Sequence, residues 1–360
     1  MKKPTSSDVA KLAGVSQTAV SLILNENEKI SFSQETKERV FEAARQLGYT
    51  LPARKKKEKT NARVILVFTP TLANAYYTEL VTYVEEYVGP MGYYVQVCNT
   101  FRNPELEQYF LETQVTSQVV GIIYSFLPSF PKTVDQIMQN IPVAVIGEKQ
   151  EGMNICSVGL NNLNAGAMMA EHLYQLGHRR IAFLTTPLDR FTLARSQRME
   201  GIRHQMEQNG IRDGFEIIVS DRREQDYDFQ GDMPYEYAVG RQLTARFLKN
   251  NKGATALIGV NDMTALGIMA ELTEAGYRVP QDFSVCGFDN IFMSTIAKPG
   301  LTTIEHYLRA RCHMAADMLI NRNPAIRGVQ GINDVRLLNK IEYIPLLVVR
   351  DSTGAPNVKE

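Results

Sequence analysis

Apolar positions follow two different rhythms along this chain. In the first fifty residues they recur three and four apart. Val9, Leu12 and Ala13 share one helical face, Ala19, Val20, Ile23 and Leu24 a second, and Val40, Ala44 and Leu47 a third. The boundaries are marked by side chains that satisfy helix ends. Thr5 with Asp8 has capping-box spacing, Gly14 suits a left-handed C-terminal turn, Ser16 and Ser33 can each cap the helix that follows, and Gly48 closes the third.

From Val64 the rhythm changes to short β-branched runs alternating with longer helical stripes. VILVF (Val64 to Phe68) precedes a predicted helix over Tyr77–Val88. Then come YYVQV, a helix around Leu106–Val115, VVGIIY, a short helix near Val134–Met138, and VAVIG. A second set begins after Val158. It runs helix Asn162–Leu176, strand IAFL, helix Leu193–Gln208, strand EIIVS, helix Tyr235–Leu248, strand TALIGV, helix Met263–Ala275 and strand FSVCGF. Such alternation implies βαβ units and parallel sheets covered on both faces. The count gives two similar α/β lobes, with a cleft expected at the carboxyl ends of their strands.

Composition divides the chain in the same way. Residues 1–63 carry 13 Lys and Arg against 7 Asp and Glu, a balance of +6, and the remainder carries 26 against 32, a balance of −6. A basic head on an acidic body fits a polyanion-binding module joined to a ligand-binding one. No signal-peptide core and no run of about 18 apolar residues is present, so a cytoplasmic protein without a membrane contact is expected. Cys98, Cys156, Cys286 and Cys312 are far apart in apolar surroundings, which favours buried reduced thiols over disulfides or a metal site. His172 and His178 flank a helix end, where a surface or capping role is expected. No metal or cofactor is predicted.

Two short helices joined at a glycine follow the helix-turn-helix plan, in which the second helix enters the DNA major groove. Spacing alone also allows an ordinary αα-hairpin. The string DVAKLAGVS, followed by VS and LN, resembles the DNA-binding head of the lactose-repressor and galactose-repressor family of bacterial transcription factors, over Thr5 to Tyr49. The second half resembles that family's effector-binding core, itself similar to periplasmic sugar-binding proteins. The anchors are LGHRRIAFL, RMEG at Arg198 to Gly201, NDMTALGIM from Asn261, SVCGFDN ending at Asn290, LTTI at Leu301 to Ile304, and VVRDST at Val348 to Thr353. The expected organisation is therefore an all-α helix-turn-helix head (1–50), a basic linker (51–63) and a periplasmic-binding-protein-like core of two doubly wound parallel-sheet lobes (64–360).

The resemblance implies a homodimer that binds a pseudopalindromic double-stranded operator. A small-molecule effector, a sugar or sugar derivative, would sit in the core. For DNA it points to Ser16, Gln17, Thr18, Ser21, Leu22 and Asn25. Gln17 can bond adenine through two hydrogen bonds, and Thr18 offers a methyl and a hydroxyl. Leu22 departs from the arginine that many relatives carry, and it can make only apolar contact, as with a thymine methyl, or else pack against Tyr49. In the linker, Lys55 and Lys56 can neutralise phosphates. The segment is shorter than the family's hinge helix, and no leucine stands among its basic residues to wedge the minor groove.

For the effector the resemblance points to Asn74, Tyr76, Tyr77, Glu148, Arg198, Asn261 and Asp289. A tyrosine can stack on a sugar face, and Arg198 would fork onto ligand hydroxyls or a carboxylate. Asn161 replaces the relatives' usual aspartate, and Met263 a polar residue, so no relative's ligand transfers directly. Two other readings are weaker. A solute-binding protein without DNA function conflicts with the head. A dinucleotide-dependent enzyme conflicts with the first-strand loop TPTLAN, which has no GxGxxG, and with the lack of any nucleophile-base motif.

Overall fold

The computed structural model describes residues 4–24, 32–49, 62–147, 153, 155–188, 192–223, 233–321 and 339–357. The chain divides into two compact units, 1–61 and 62–360.

The first unit contains helices α1 (Ser6–Ala13), α2 (Gln17–Leu24) and α3 (Gln34–Leu47). Its ends are closed as expected. The Asp8 carboxylate accepts from Thr5 N at 2.8 Å, and the Thr5 hydroxyl accepts from Asp8 N at 3.4 Å. Ser16 Oγ accepts from Ala19 N at 3.1 Å, and Ser33 Oγ from Thr36 N at 3.3 Å. Val9, Ala10, Ala13, Val20, Ile23, Val40, Ala43 and Ala44 form the core. Leu12 corrects the sequence reading, because it is 52% exposed. The buried face of α1 runs through Val9, Ala10 and Ala13, one position off the stripe that includes Leu12. Leu47, at the end of the third stripe, is also exposed.

The second unit opens with lobe 1: β1 (Arg63–Thr69), α4 (Ala75–Val88), β2 (Tyr93–Asn99), α5 (Pro104–Gln114), β3 (Val119–Tyr124), α6 (Pro131–Ile137), β4 (Val143–Ile146) and β5 (Cys156–Leu160). Lobe 2 follows: α7 (Asn162–Gln175), β6 (Ile181–Thr185), α8 (Leu193–Gln208), β7 (Phe215–Val219), α9 (Tyr235–Asn250), β8 (Ala256–Gly259), α10 (Asp262–Glu274), β9 (Ser284–Cys286), α11 (Phe292–Ile296) and β10 (Thr303–Glu305). The chain then returns to lobe 1 with α12 (Leu308–Ile320) and β11 (Lys340–Tyr343), and ends on lobe 2 with β12 (Leu346–Val348). The sheet of lobe 1 has order β11-β5-β4-β3-β1-β2, all parallel, and that of lobe 2 β7-β6-β8-β9, also parallel.

Strand β1 shows why the sheets read as unbroken apolar runs. Ile65 and Val67 pack under α4 and α12, while Leu66 and Phe68 face the layer that holds Leu111 of α5 and Val134 of α6. Both faces are dry, as parallel sheets require. The two expected lobes are joined by a return crossing. Leu308, Cys312, Ala315, Ala316 and Leu319 of α12 complete the core of lobe 1. Three strands of backbone thus pass between the lobes, at 160–162, 305–308 and 343–346.

In lobe 2, α7 and α8 cross at glycines. A Cβ on Gly201 would meet Leu163 O at 1.9 Å, and one on Gly166 would meet Arg198 O at 2.0 Å. Each glycine thus admits the other helix's carbonyl, which sets how closely α8 lies on α7. Cys98, Cys286 and Cys312 are buried thiols as expected, whereas Cys156 is only partly buried. His178 is a correction. It is buried, with Nδ1 2.7 Å from Thr255 Oγ1 and Nε2 2.9 Å from Gly354 O, and so fastens the C-terminal segment to lobe 2. Among the described residues no helix is long and apolar enough to cross a membrane.

Gly201→Ala should destabilise the core by roughly 3 kcal/mol, since the clash is with backbone and cannot be relieved by a rotamer change. Gly89→Ala, at a helical φ with open space around it, should instead be neutral or stabilise by up to about 1 kcal/mol. Urea unfolding of the two variants checks the contrast.

Candidate functional site

The cleft between the lobes encloses a cavity of about 120 Å³. From lobe 1 it is lined by Asn74, Tyr76 and Tyr77 at the start of α4, Arg102 beyond β2, and Phe126 beyond β3. From lobe 2 come Asn162, Thr192, Arg195, Arg198, Asn261 and Asp289, and the crossing and α12 add His306 and Arg311. Most of these stand at strand ends or first helical turns, where a doubly wound fold exposes polar groups.

Arg198 is the hub. It is 7% exposed and lies with its guanidinium carbon 4.9 Å from the centre of the Phe288 ring. Nε donates to Asn162 Oδ1 at 2.9 Å and Nη1 to Val260 O at 2.7 Å. Nη2 lies 3.5 Å from Asp289 Oδ1 and 3.4 Å from His306 Nε2. His306 Nδ1 is in turn 3.2 Å from Asp289 Oδ1. One neutral tautomer satisfies the imidazole, with Nδ1–H donating to the carboxylate and Nε2 accepting from the guanidinium. These contacts engage four of the five N–H groups of Arg198 and leave one Nη1 proton. In this structure most of the fork is held by protein groups.

Burial drives the titration of this cluster. Asp289 is pushed up to about 7 by loss of solvent, with Arg198 acting in the opposite direction. His306 is held well below its ordinary value by burial, reinforced by Arg198 and Arg311. Asp289 also has φ +121°, a backbone strain that turns its side chain toward the hub.

Of the residues singled out from sequence, Asn74, Tyr76, Tyr77, Arg198, Asn261 and Asp289 are brought together in the cleft. Asn74 and Asn261 also cap α4 and α10 by accepting from Tyr76 N at 3.0 Å and Thr264 N at 2.9 Å. Asn74 Nδ2 donates across the cleft to Glu236 Oε1 at 3.1 Å, a direct bond between the lobes. Tyr76 stands edge-on to Tyr77 and to His306. Glu148, Asn25, Lys55 and Lys56 lie outside the described residues. Sequence reasoning missed Asn162, Arg195, Glu236, His306 and Arg311. A signal existed for Arg311, since it shares the stripe of Leu308, Cys312 and Ala315, where an arginine is out of place unless it has work in the interior.

In the head, Ser16, Gln17, Thr18 and Ser21 are exposed along one side of α2. Gln17 Nε2 also donates to Ser6 Oγ at 2.8 Å, which ties the start of α2 to α1. Leu22 is half-buried.

Comparison with known proteins matches residues 5–51 to the bacterial regulatory proteins of the lacI family and residues 170–353 to a periplasmic binding protein-like domain. The HTH-type transcriptional repressor PurR of Glaesserella parasuis serovar 5 (strain SH0165) is 32% identical over 367 residues, spanning 97% of this chain and 98% of that protein. The chain belongs to the LacI family. It is a DNA-binding transcriptional regulator with a periplasmic-binding-protein-like core. Another relative of this LacI-family chain is the HTH-type transcriptional regulator DegA of Bacillus subtilis (strain 168), 28% identical over 99% of both chains. Among solved structures, a LacI family transcriptional regulator from Enterococcus faecium with bound ribose shares the fold, with a TM-score of 0.68 and 24% identity over 81% of this chain and 99% of that one.

The buried pair in this regulator's cleft makes stability depend on pH in a defined direction. Between about pH 4 and 7, folded Asp289 holds a proton that the unfolded chain has lost. Its contribution is therefore complete at low pH and declines as pH rises through 7. His306 works oppositely, being neutral when folded and protonated when unfolded below about pH 6.5. From pH 5 to 7.5 the urea midpoint should therefore fall more, or rise less, in the wild type than in Asp289→Asn. Parallel profiles would count against the assignment.

Proposed function

We propose that the chain represses transcription as a homodimer on a pseudopalindromic operator, and that a small-molecule effector in the cleft, a sugar or sugar derivative, controls its affinity for that DNA. The observation that carries this reading is the convergence of six residues, singled out on family resemblance alone, on one cleft between two lobes. The ribose named with the Enterococcus faecium structure, and the repressor role named for the PurR relatives, support it by analogy. On this reading Asn74, Tyr76, Tyr77, Asn261, Asp289 and the remaining proton of Arg198 face the effector, with Glu148 a further contributor from lobe 1.

Ser16, Gln17, Thr18, Ser21, Leu22 and Asn25 would meet the operator, with Lys55 and Lys56 on its phosphates. Base reading rests on Gln17 and Thr18, the longest exposed polar pair at the start of α2. Leu22 supplies an apolar surface for a thymine methyl. Effector binding changes the disposition of the lobes and so of the paired heads, a coupling that acts equally in both directions.

Fluorescence anisotropy with duplexes from the chain's own promoter region tests this. Affinity should fall steeply with salt, and Gln17→Ala should lose about 1–3 kcal/mol on the preferred duplex while leaving the response to small molecules intact. Leu22→Arg should move the preference at one base pair toward guanine. Equal, weak affinity for every palindromic duplex at low salt would refute the reading.

A further inference from the structure

The cleft contains a cation that has no ion-pair partner among the described residues. Arg311 stands in the first turn of α12 and is only 3% exposed. Its Nε and Nη2 both donate to a single backbone oxygen, Val158 O, at 3.3 and 3.2 Å. No carboxylate of the described residues forms an ion pair with it. Arg198, by comparison, has Asp289 beside it, and Arg195 has Glu236 at 3.8 Å. A cation taken out of water against one carbonyl is costly, and natural sites keep such a group when something else supplies the counter-charge.

Arg311 opens onto the same cleft as Tyr76, His306 and Asp289. Among the described residues the surrounding field has the same sign. Four arginines and one carboxylate are among the described residues lining the cleft. Helices α4, α8 and α10 all begin there, adding the partial positive charge of their N-termini. Asp289 offsets some of this charge but is engaged by Arg198 and His306.

We infer that the effector is anionic: a polyhydroxylated small molecule whose carboxylate or phosphate pairs with Arg311 while its hydroxyls meet the Asn and Asp side chains of the cleft. This rests on the effector reading given above and specifies its ligand. A neutral sugar leaves Arg311 uncompensated. An anion converts that cost into a charge-assisted contact, for which guanidinium geometry suits either acid.

Melting of the full chain at constant ionic strength provides the test. The probes are glucuronate against glucose, galacturonate against galactose, glucose 6-phosphate against glucose, and inorganic phosphate against chloride. At least one anion should raise the melting temperature and bind about tenfold or more tightly than its neutral partner. The uronate and sugar-phosphate arms separate the two acids. Arg311→Gln keeps a donor toward Val158 O without the charge, and should abolish the anion's shift while melting no lower than the wild type when ligand-free. Arg311→Lys should retain part of the shift.

The inference is overturned if a neutral sugar stabilises as well as its anion, if the shift persists in Arg311→Gln, or if no anion, phosphate included, stabilises the wild type. The wild-type comparison stands even if Arg311→Gln does not fold. A neutral sugar that stabilises the chain and alters operator affinity would remove this inference and leave the regulator reading in place. Loss of operator binding altogether would strike the regulator reading and not the anion response.

Discussion

A buried guanidinium must be satisfied from all sides, and in this protein that requirement joins segments far apart in the chain. Arg198 reaches Asn162 at the first crossing between the lobes, Val260 O beyond β8, Asp289 beyond β9 and His306 at the second crossing. Removing one partner of such a buried pair costs about 3–5 kcal/mol, because the remaining charge has nowhere to go. The close crossing of α7 and α8 at Gly166 and Gly201 is what sets the arginine at this depth. A glycine three residues after the arginine thus acts on the site through backbone approach, without touching it.

The same network gives the cleft its mechanical character. Lobe 1 meets lobe 2 directly through Asn74 and Glu236, and through Phe292 N, which donates to Glu79 Oε1 at 2.9 Å. These are few bonds compared with the dry interior of either lobe. Hinge-like closure about three backbone crossings is a familiar way for a small ligand to move large bodies. The crossing at 305–308 carries His306, so the hinge and the hub share a residue.

Much of this was legible in the sequence where the signal is local. The capping box at Thr5 and Asp8, the caps at Ser16 and Ser33, and the apolar runs of β1, β3 and β6 depend only on near neighbours, and they stand as read. Leu12 was misassigned because an eight-residue helix offers two overlapping stripes, and only its packing against α2 and α3 selects between them. The return of α12 to lobe 1 is a matter of topology that no spacing encodes. His306 and Arg311 became site residues through that topology, and Glu236 through its bond to Asn74 across the cleft. Asn74 and Asn261 were found because strand-end polar residues serve both as helix caps and as cleft lining.

The central claim is that Arg198 and Asp289 act as one buried unit organising the cleft. A double-mutant cycle measures this most directly: urea unfolding of the wild type, Arg198→Met, Asp289→Asn and the double variant at one pH. The account predicts that the two losses fall short of additivity by about 2 kcal/mol, since either change alone strands a buried polar partner. Additivity within about 0.5 kcal/mol would show that the two residues act independently and would contradict it.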